Sequence, residues 1–322
     1  MGKRHRPRRG SLQFWPRARA ARPFAKIRNW SHDLKDIKLL GFAGYKTGMT
    51  HVLRQETNPK SHQKDMKVQE AITIIECPPI KPLAIRFYQK TADGSKVLSQ
   101  ILSKKINKEV SRSIVLPKKS SEPSSFDDLR LVVYTQPHLT GIGKKKPEIF
   151  ELGISGEDKL KKLEFAKSML EKDIINITDV FKEAQYVDVH SVTKGKGFQG
   201  TVKRYGVPIR QHKSEKTKRG IGNLGSWTPK RVQYSVPQAG KMGFHLRTEY
   251  NKKIYKINSK PEEINPKGGF VNYGLIKNPY VLVKGSFPGP RKRLILFTDT
   301  MRLNKKSTHP IDLTYISQES KQ

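Results

Sequence analysis

The chain has 322 residues, with 64 Lys and Arg against 28 Asp and Glu, so its formal net charge is +36. This excess of positive charge repels itself in a compact protein, which disfavours an ordinary metabolic enzyme or a secreted adhesin. It favours a polyanionic partner, with nucleic acid as the first candidate and an anionic membrane surface as the second.

The first 36 residues are predicted to form a basic arm. Positions 1–28 contain ten Lys and Arg and no acid. A segment of this composition cannot bury a face of its own, so we expect an extended arm that becomes ordered on a partner. Its arginine content is also typical of a mitochondrial transit peptide, but Pro7, Pro16 and Pro23 would break the amphipathic helix that such a peptide needs. We therefore expect the arm to be part of the working protein.

Short strands are predicted after the arm. Residues 37–54 begin with apolar side chains and continue through Gly44 and Gly48, which predicts a pair of short strands around a glycine turn. The polar stretch 55–67 is predicted to be a loop. No apolar run of the sequence approaches the ~18 residues of a membrane-spanning helix.

Residues 71–185 have the composition of a mixed α/β block. Strands are predicted at 71–76, 83–88, 131–135 and 149–152. Cys77 follows the first of these strands and is expected to be a small buried apolar residue. Because it is the only cysteine, a disulfide framework and a cysteine-based zinc site are both excluded.

Two helices are predicted in this block. The segment Ser155–Asp158 resembles a capping box, and apolar residues then recur at helical spacing at Leu160, Leu163, Ala166 and Leu170. A second helix is predicted from Thr178. Residues 148–188 carry ten acids and six lysines, so we expect this region to face solvent or protein and not RNA.

Residues 195–256 are predicted to form a long basic loop. Positions 191–256 carry sixteen Lys and Arg against two acids, and glycine recurs throughout. After an opening strand at 186–190 no sustained period of 2 or 3.6 is present, which favours a functional excursion packed on a polyanion. We expect the loop and the arm to be mobile in the free protein and ordered on RNA.

The C-terminal third returns to strands. They are predicted at 270–273, 280–283 and 294–297, and Gly285–Pro290 is expected to link the last two as a hairpin. The sequence therefore predicts a β-rich α+β fold. Its expected core is a small closed β-barrel of residues 37–70, 186–194 and 257–300, with the block 71–185 inserted and residues 301–322 as a tail.

The segment Gly195–Gly200 matches the dinucleotide-binding pattern G-x-G-x-x-G and follows a strand. In that motif the glycines open an apolar helix whose N-terminus holds a pyrophosphate. Here they lead into the β-branched, basic and proline-terminated segment 201–208, so we reject a cofactor site. Glycines flanked by lysines suit a close approach of the backbone to phosphates instead.

The remaining motifs predict no catalytic residue and no metal site. None of the nine histidines has H-x-x-x-H spacing or lies with paired carboxylates. His190, His212 and His245 lie in or beside the basic stretch, where they either contact bases or have no special role. We find no serine nucleophile elbow, no P-loop and no acidic dyad in the basic regions.

Six aromatic residues are interleaved with Lys and Arg in the loop: Phe198, Tyr205, Trp227, Tyr234, Phe244 and Tyr250. Aromatic side chains of a folded protein usually lie in a core, but these flanks are too charged and too rich in glycine to make one. Stacking on unpaired bases and packing against protein therefore stay equally open for each of them.

Several segments together resemble a known family. A signature of apolar, acidic, hydroxyl, glycine and basic positions is matched at Phe181, Asp188, Ser191, Thr193, Gly195, Lys196, Gly197, Gly200 and Arg204. The chain thereby resembles the universal large-subunit ribosomal protein L-three family, in its archaeal and eukaryotic form. The segments Tyr45–Thr50, Gly10–Arg17 and Lys216–Pro229 are similar to its early turn, its N-terminal start and its central loop. Some eukaryotic members have a histidine where Lys218 stands, so chemistry tied to that histidine is not carried over.

The resemblance implies a β-barrel on the solvent side of the large ribosomal subunit, in the cytoplasm, and two extensions that run through the rRNA toward the peptidyl transferase centre. It implies large-subunit rRNA and neighbouring ribosomal proteins as partners, a role in assembly, and no enzyme activity, cofactor, membrane or small-molecule substrate. Trp227 is expected at the loop tip near that centre. The expected rRNA-binding residues are Arg4, Arg6, Arg8, Arg9, Arg17, Arg19, Arg22, Lys194, Lys196, Lys203, Arg204, Arg210, Lys213, Lys216, Lys218, Arg219, Lys230, Arg231, Lys241 and Arg247.

The alternative function, from a different class of protein, is that of an RNA-processing or RNA-modifying enzyme with basic extensions. Such an enzyme needs a cofactor loop or an acid–base set beside the basic surface. The glycine run was the only candidate for such a loop, and its following segment excludes it.

Overall fold

The computed structural model describes residues 7–31, 36–57, 59–117, 120–302 and 311–319. The chain divides into two compact units. We call Phe24–Ser191 with Thr248–Gln322 the body, and Met1–Pro23 with Val192–Arg247 the extension unit.

The described residues form mainly strands. These are β1 (Gly41–Gln55), β2 (Lys67–Glu76), β3 (Lys81–Thr91), β4 (Gly94–Leu102), β5 (Asp128–Tyr134), β6 (Ile149–Gly153), β7 (Tyr186–Val192), β8 (Phe198–Gln199), β9 (Gly240–Lys241), β10 (Leu246–Asn258), β11 (Tyr280–Lys284), β12 (Leu294–Asp299) and β13 (Asp312–Ile316). The α-helices are α1 (Lys159–Glu171) and α2 (Thr201–Tyr205). The predicted β-rich α+β class is confirmed, and none of the described helices is long and apolar enough to cross a bilayer.

The main sheet of the body has seven strands in the order β12-β7-β10-β11-β2-β1-β13, and β12 also pairs with β1. The pairs that β1 makes with β2, β12 and β13 are all antiparallel. The first eight residues of β1 are buried. Because this part of the strand is covered on both faces, its residues do not alternate between buried and exposed, and even Lys46 and Thr47 are buried.

A second sheet has four strands in the order β4-β3-β5-β6, and α1 packs against β3 and β5. The four strands predicted for residues 71–185 correspond to β2 of the main sheet and to β3, β5 and β6 of the second sheet, whereas β4 was not predicted. Cys77 is buried, as expected. The Asp158 side chain accepts a hydrogen bond from the Leu160 amide and caps α1, whose buried residues are Leu163, Ala166 and Met169. Leu160 itself is 70% exposed, so the buried stripe begins one turn later than its spacing suggested.

Several local predictions were wrong. Residues 37–54 contain no glycine turn, because β1 is one continuous strand whose register shifts between Lys46 and Gly48. The second helix is a three-residue 3-10 turn, Ile177–Asp179. Phe270 makes only an isolated bridge to Gly274, so 270–273 is a turn and not a strand.

The C-terminal connections also differ from the predictions. β11 and β12 are not neighbours in the sheet, so Gly285–Pro290 does not close a hairpin. The last residues of the predicted basic loop belong to β10, a 13-residue strand that pairs with β11. In the predicted tail, β13 pairs with β1.

Buried carboxylates anchor the loops of the body. Glu76 is fully buried and accepts hydrogen bonds from the amides of Lys277 (2.9 Å) and Asn278 (3.0 Å), and from the Tyr273 hydroxyl. Because these donors, together with the Asn278 side-chain amide at 2.8 Å, all point at the carboxylate, its buried charge is compensated.

Glu70 is a second, partly buried anchor. It accepts from Arg54 Nη2 at 3.0 Å, from Lys284 Nζ at 2.7 Å and from the Tyr255 hydroxyl. Burial acts to raise the pKa of Glu70, but these three hydrogen bonds outweigh it and lower the pKa to about 2.

Candidate nucleic-acid interface

The extension unit contains little regular structure and almost no acidic residue. The strands β8 and β9 pair with each other, and α2 has a single turn. By sequence the unit carries 21 Lys and Arg against one acid, Glu215. None of the ion pairs among the described residues involves a cation of this unit. The positive charge of the cations other than Arg22 is therefore not neutralised by the protein segments that the structure describes.

The arm packs on the loop within this unit. The Ala20 amide donates to the Phe244 carbonyl oxygen at 2.9 Å, and His245 Nδ1 lies 2.8 Å from the Ala18 carbonyl oxygen. The ring of Trp15 lies 5.8 Å from that of Tyr234. Sequence reasoning treated arm and loop as separate segments without a core, and it missed that each supplies packing for the other.

Tyr205 is the centre of this packing. Its side chain is buried, with 8% exposed, and its ring has the Arg17 guanidinium at 4.0 Å and the Arg204 guanidinium at 5.0 Å. Gly10 is required here because a Cβ at this position would lie 2.5 Å from Tyr205 Cδ1, and because its φ is +80°. Tyr205 is therefore a core residue of the unit, and the base-stacking alternative is wrong for it.

The loop has few hydrogen bonds between paired strands, and arginine side chains supply hydrogen bonds in their place. Arg17 Nη1 donates to the Arg204 carbonyl oxygen at 2.6 Å, and Arg204 Nε donates to the Lys241 carbonyl oxygen at 3.0 Å. Arg210 Nη1 donates to Thr217 Oγ1 at 2.7 Å. Carbonyl oxygens outside helices and sheets need donors, and a guanidinium offers five in a fixed fork. These arginines therefore hold the loop together.

The predicted rRNA-binding residues fall into three groups. Half-buried positions are Arg17, Arg204, Arg210, Lys241 and Arg247. Exposed positions are Arg8, Arg9, Arg19, Arg22, Lys194, Lys196, Lys203, Lys213, Lys216, Lys218, Arg219, Lys230 and Arg231. Arg4 and Arg6 lie outside the described residues. Apart from Arg22, the exposed group is available to an anionic partner without rearrangement of the unit.

The aromatic residues divide in the same way. Trp227, Phe198 and Tyr234 are 84%, 77% and 70% exposed, so they remain candidates for stacking on bases. Phe244 is half-buried, with the Arg19 guanidinium 5.8 Å from its ring. Tyr250 belongs to the body and has the Arg302 guanidinium 5.7 Å from its ring.

Trp227 projects from a tight turn, as the sequence predicted. The Gly225 amide donates to Asn223 Oδ1 at 3.0 Å, and the Lys230 amide donates to the Trp227 carbonyl oxygen at 2.9 Å. The φ of Gly225 is +125°, which its lack of a Cβ permits. These local bonds fix the backbone and leave the indole ring in solvent.

The histidines of the basic stretch have protein partners at two of three positions. His190 Nδ1 lies 2.9 Å from Thr248 Oγ1, and its Nε2 lies 3.0 Å from Thr298 Oγ1. Burial lowers the pKa of His190 and of His245, so both are neutral near pH 7. Only His212 is exposed among the three. No group of three metal-ligating side chains occurs in the described residues.

The glycine run has a structural explanation. The Lys196 amide donates to the Met242 carbonyl oxygen at 3.0 Å, and the Met242 amide donates to the Gly197 carbonyl oxygen at 2.9 Å. A helix does follow the run, contrary to the sequence reasoning, but it is the five-residue α2. The glycines therefore shape the base of the loop and do not open a long nucleotide-binding helix.

Comparison with known proteins identifies the family. The family model described as Ribosomal protein L3 matches residues 1–127 and 120–322. The chain belongs to the ribosomal protein L3 family. This L3-family chain is 44% identical over 336 residues to the large ribosomal subunit protein uL3 of Methanobrevibacter smithii, covering 100% of the chain and 99% of that relative. It is 46% identical to the proteins of the same name from Methanococcus vannielii and Methanocaldococcus jannaschii, over 99% of the chain and 98% of each relative.

Proposed function

We propose that this L3-family chain is a structural constituent of the large ribosomal subunit in the cytoplasm, and that it binds large-subunit rRNA and neighbouring ribosomal proteins. The archaeal relatives are named large ribosomal subunit protein uL3, and this chain matches 98–99% of their length. The family is one of structural ribosomal proteins, so the alternative of an RNA-modifying enzyme is set aside. The observation that carries the rRNA-binding role is the extension unit, whose exposed cations other than Arg22 have no acidic partner among the described residues.

The exposed Lys and Arg of the extension unit are proposed to bind rRNA phosphates, and Trp227 is proposed to pack against bases near the peptidyl transferase centre. Each phosphate contact releases counterions, so affinity depends strongly on salt. The half-buried arginines hold the unit in shape, and they contribute to binding mainly by fixing where the exposed cations lie. The protein is further proposed to organise rRNA during assembly.

We further propose that β1, β2, β11, β10, β7 and β12 make the small barrel that the family resemblance implies. The pairing of β12 with both β7 and β1 supports this arrangement, because it links the two ends of the six-strand run. The arm at 1–36, the inserted block at 71–185 and the tail at 301–322 are proposed as its appendages.

The test compares two triple variants in rRNA binding across a salt series. One replaces Lys213, Lys216 and Lys218 of the extension unit by Gln. The matched control replaces Lys159, Lys161 and Lys162 of α1 by Gln. We expect the first to reduce the slope of log affinity against log salt by about 2 to 3, and the control to leave it unchanged. Equal slopes for both variants, or wild-type affinity that is flat with salt, would refute the proposal.

A further inference from the structure

The strand β4 forms an open edge of the second sheet, since among the described residues it pairs with β3 alone. The opposite edge is closed, because the Leu40 amide donates to the Gly153 carbonyl oxygen of β6 at 3.0 Å. β4 contains no proline and one charged side chain, Lys96, and its one irregularity is a bulge at Leu98 and Ser99. Sheets usually protect an edge by covering it or by placing prolines and several charges along it. β4 therefore has little of the usual protection.

Part of the β4 backbone directs its hydrogen-bonding groups away from the sheet. The Ser103 amide donates to the Leu83 carbonyl oxygen at 2.9 Å, and Leu102 is the register partner of Ala84. Bonded and non-bonded pairs alternate along an antiparallel ladder, so Leu102 and Gln100 turn their N–H and C=O groups outward. Neither amide has a backbone acceptor among the described residues. These groups are therefore free to pair with another strand.

The side chains along this edge are aliphatic and basic. Val97 and Leu98 are 46% and 40% exposed, and β4 has no aromatic residue on which an unpaired base could stack. Lys96, Lys104 and Lys105 are exposed and make no ion pair with a described residue. The apolar side chains and the open backbone suit a polypeptide, and the three lysines favour one that carries acidic side chains.

We propose that an extended, acidic segment of a neighbouring protein binds along β4 and adds a fifth strand to the second sheet. Its backbone pairs with the outward groups of Gln100 and Leu102, and its acidic side chains meet the three exposed lysines. Strand addition takes its affinity from main-chain hydrogen bonds and its specificity from the side chains beside them. This inference rests on the proposed function, because a constituent of the large subunit has neighbouring proteins, and it names the surface of the body that one of them binds.

Crosslinking identifies what lies on β4. Cys77 is the only cysteine and is buried, so Lys96→Cys provides a single accessible thiol for a benzophenone maleimide. The labelled full chain is assembled into large subunits and irradiated. We expect crosslinks to an acidic segment of another ribosomal protein, identified by mass spectrometry. Crosslinks to rRNA, to a second copy of this chain or within the same chain overturn the inference, and so does the absence of any crosslink.

Amide hydrogen exchange tests the strand pairing itself. In large subunits the Gln100 and Leu102 amides should exchange at least about tenfold more slowly than in the free chain, because the added strand supplies their acceptors. Gln100→Pro removes an outward N–H at a position where an edge strand tolerates proline, whereas the matched Gln100→Ala keeps it. We expect Gln100→Pro to lose the crosslink and the slower exchange at Leu102, and Gln100→Ala to retain both.

Amides of β3 and β5 in the free chain show whether the sheet stays folded in each variant. Equal crosslinking by two folded variants overturns the inference, and where the proline unfolds the sheet, the wild-type comparison of free chain and subunit decides. Binding of large-subunit rRNA separates this inference from the proposed function, because Gln100→Pro should keep the wild-type salt slope. Unchanged exchange at β4 in subunits that contain the chain refutes the added strand alone. A wild-type chain that neither binds rRNA nor enters large subunits refutes the proposed function.

Discussion

Replacing Tyr205 by Ala should release the arm from the loop. The ring is buried with 8% exposed, and the Arg17 and Arg204 guanidiniums lie 4.0 and 5.0 Å from its centre. Truncation of a buried aromatic side chain typically costs about 3 to 5 kcal/mol. Each lost cation–π contact adds about 0.5 to 1 kcal/mol. We therefore expect the free energy of opening the arm to fall by about 3 kcal/mol or more.

The matched variant is Tyr205→Phe. The Tyr205 hydroxyl is enclosed and has no partner among the described residues. Its removal keeps the ring and its cation contacts while eliminating an unpaired polar group, so stability should be unchanged or rise by about 1 kcal/mol. The two variants thus separate the ring from the hydroxyl at one position.

Hydrogen exchange at the Ala20 amide measures the opening directly. A loss of about 3 kcal/mol lowers the protection of this amide at least about 100-fold in Tyr205→Ala, while amides of β7 and β12 keep theirs. Protection should be equal or slightly higher in Tyr205→Phe. If Tyr205→Ala leaves Ala20 as protected as in the wild type, or if Tyr205→Phe loses as much as Tyr205→Ala, the packing argument is wrong.

Three further outcomes follow from the described contacts. Trp227→Ala should leave the melting temperature of the free protein unchanged, because the ring is 84% exposed. The same variant should alter single-turnover peptide-bond formation by reconstituted subunits. A large drop in melting temperature with normal peptide-bond kinetics would contradict this prediction. Glu76→Ala should destabilise the body by about 3 to 5 kcal/mol in denaturant unfolding, because it leaves buried amides without an acceptor, and a cost below about 1 kcal/mol would contradict that. The pKa of Glu70 is about 2 in the folded state against an ordinary 4.5, so its stabilising contribution is full above about pH 4.5 and disappears as the pH falls toward 2. Glu70→Gln should flatten stability over that interval, and an unchanged acid profile would show that Glu70 does not carry it.

The sequence predicted those strands whose apolar content is continuous. It missed strands that form because they pair with neighbouring strands and that have little apolar content of their own. β2, β5, β6, β11 and β12 are short apolar runs and were found with small errors at their ends. β4 was missed because its first five residues are exposed at the sheet edge and carry little apolar signal. β10 was missed because its half-buried positions include Lys and Arg, whose stems pack on the sheet while their charges reach solvent.

The opposite error, a strand predicted where the chain makes a turn, is explained by the backbone conformation. Residues 270–273 have the apolar content of a strand, yet Asn272 has a φ of +61° and Phe270 bonds to Gly274. A left-handed conformation at Asn is common in turns and is not specified by hydrophobic pattern. The glycines of β1 caused the reverse mistake, since Gly48 lies at a register shift within a continuous strand.

In the candidate interface, composition predicted which segments are basic. It did not predict which of their side chains are buried in the unit and which are exposed. Tyr205 and Trp227 have similar basic, glycine-containing flanks, yet one is buried and the other exposed. The difference arises because residues near the N-terminus, Trp15 and Arg17 among them, pack on Tyr205. A contact between segments about 190 residues apart leaves no local pattern in either, so single-sequence reasoning had no signal for it.

The chemistry of arginine and lysine accounts for how the extension unit divides its cations. The half-buried members of the predicted set are four arginines and Lys241, whereas its other seven lysines and six of its arginines are exposed. A guanidinium is weakly hydrated, stacks on aromatic rings and bridges carbonyl oxygens, so its partial burial beside Tyr205 is tolerated. An ammonium is strongly hydrated and gains little from burial unless an acceptor meets it. Lys241 departs from this division, because its Nζ atom is enclosed and has no acceptor among the described residues.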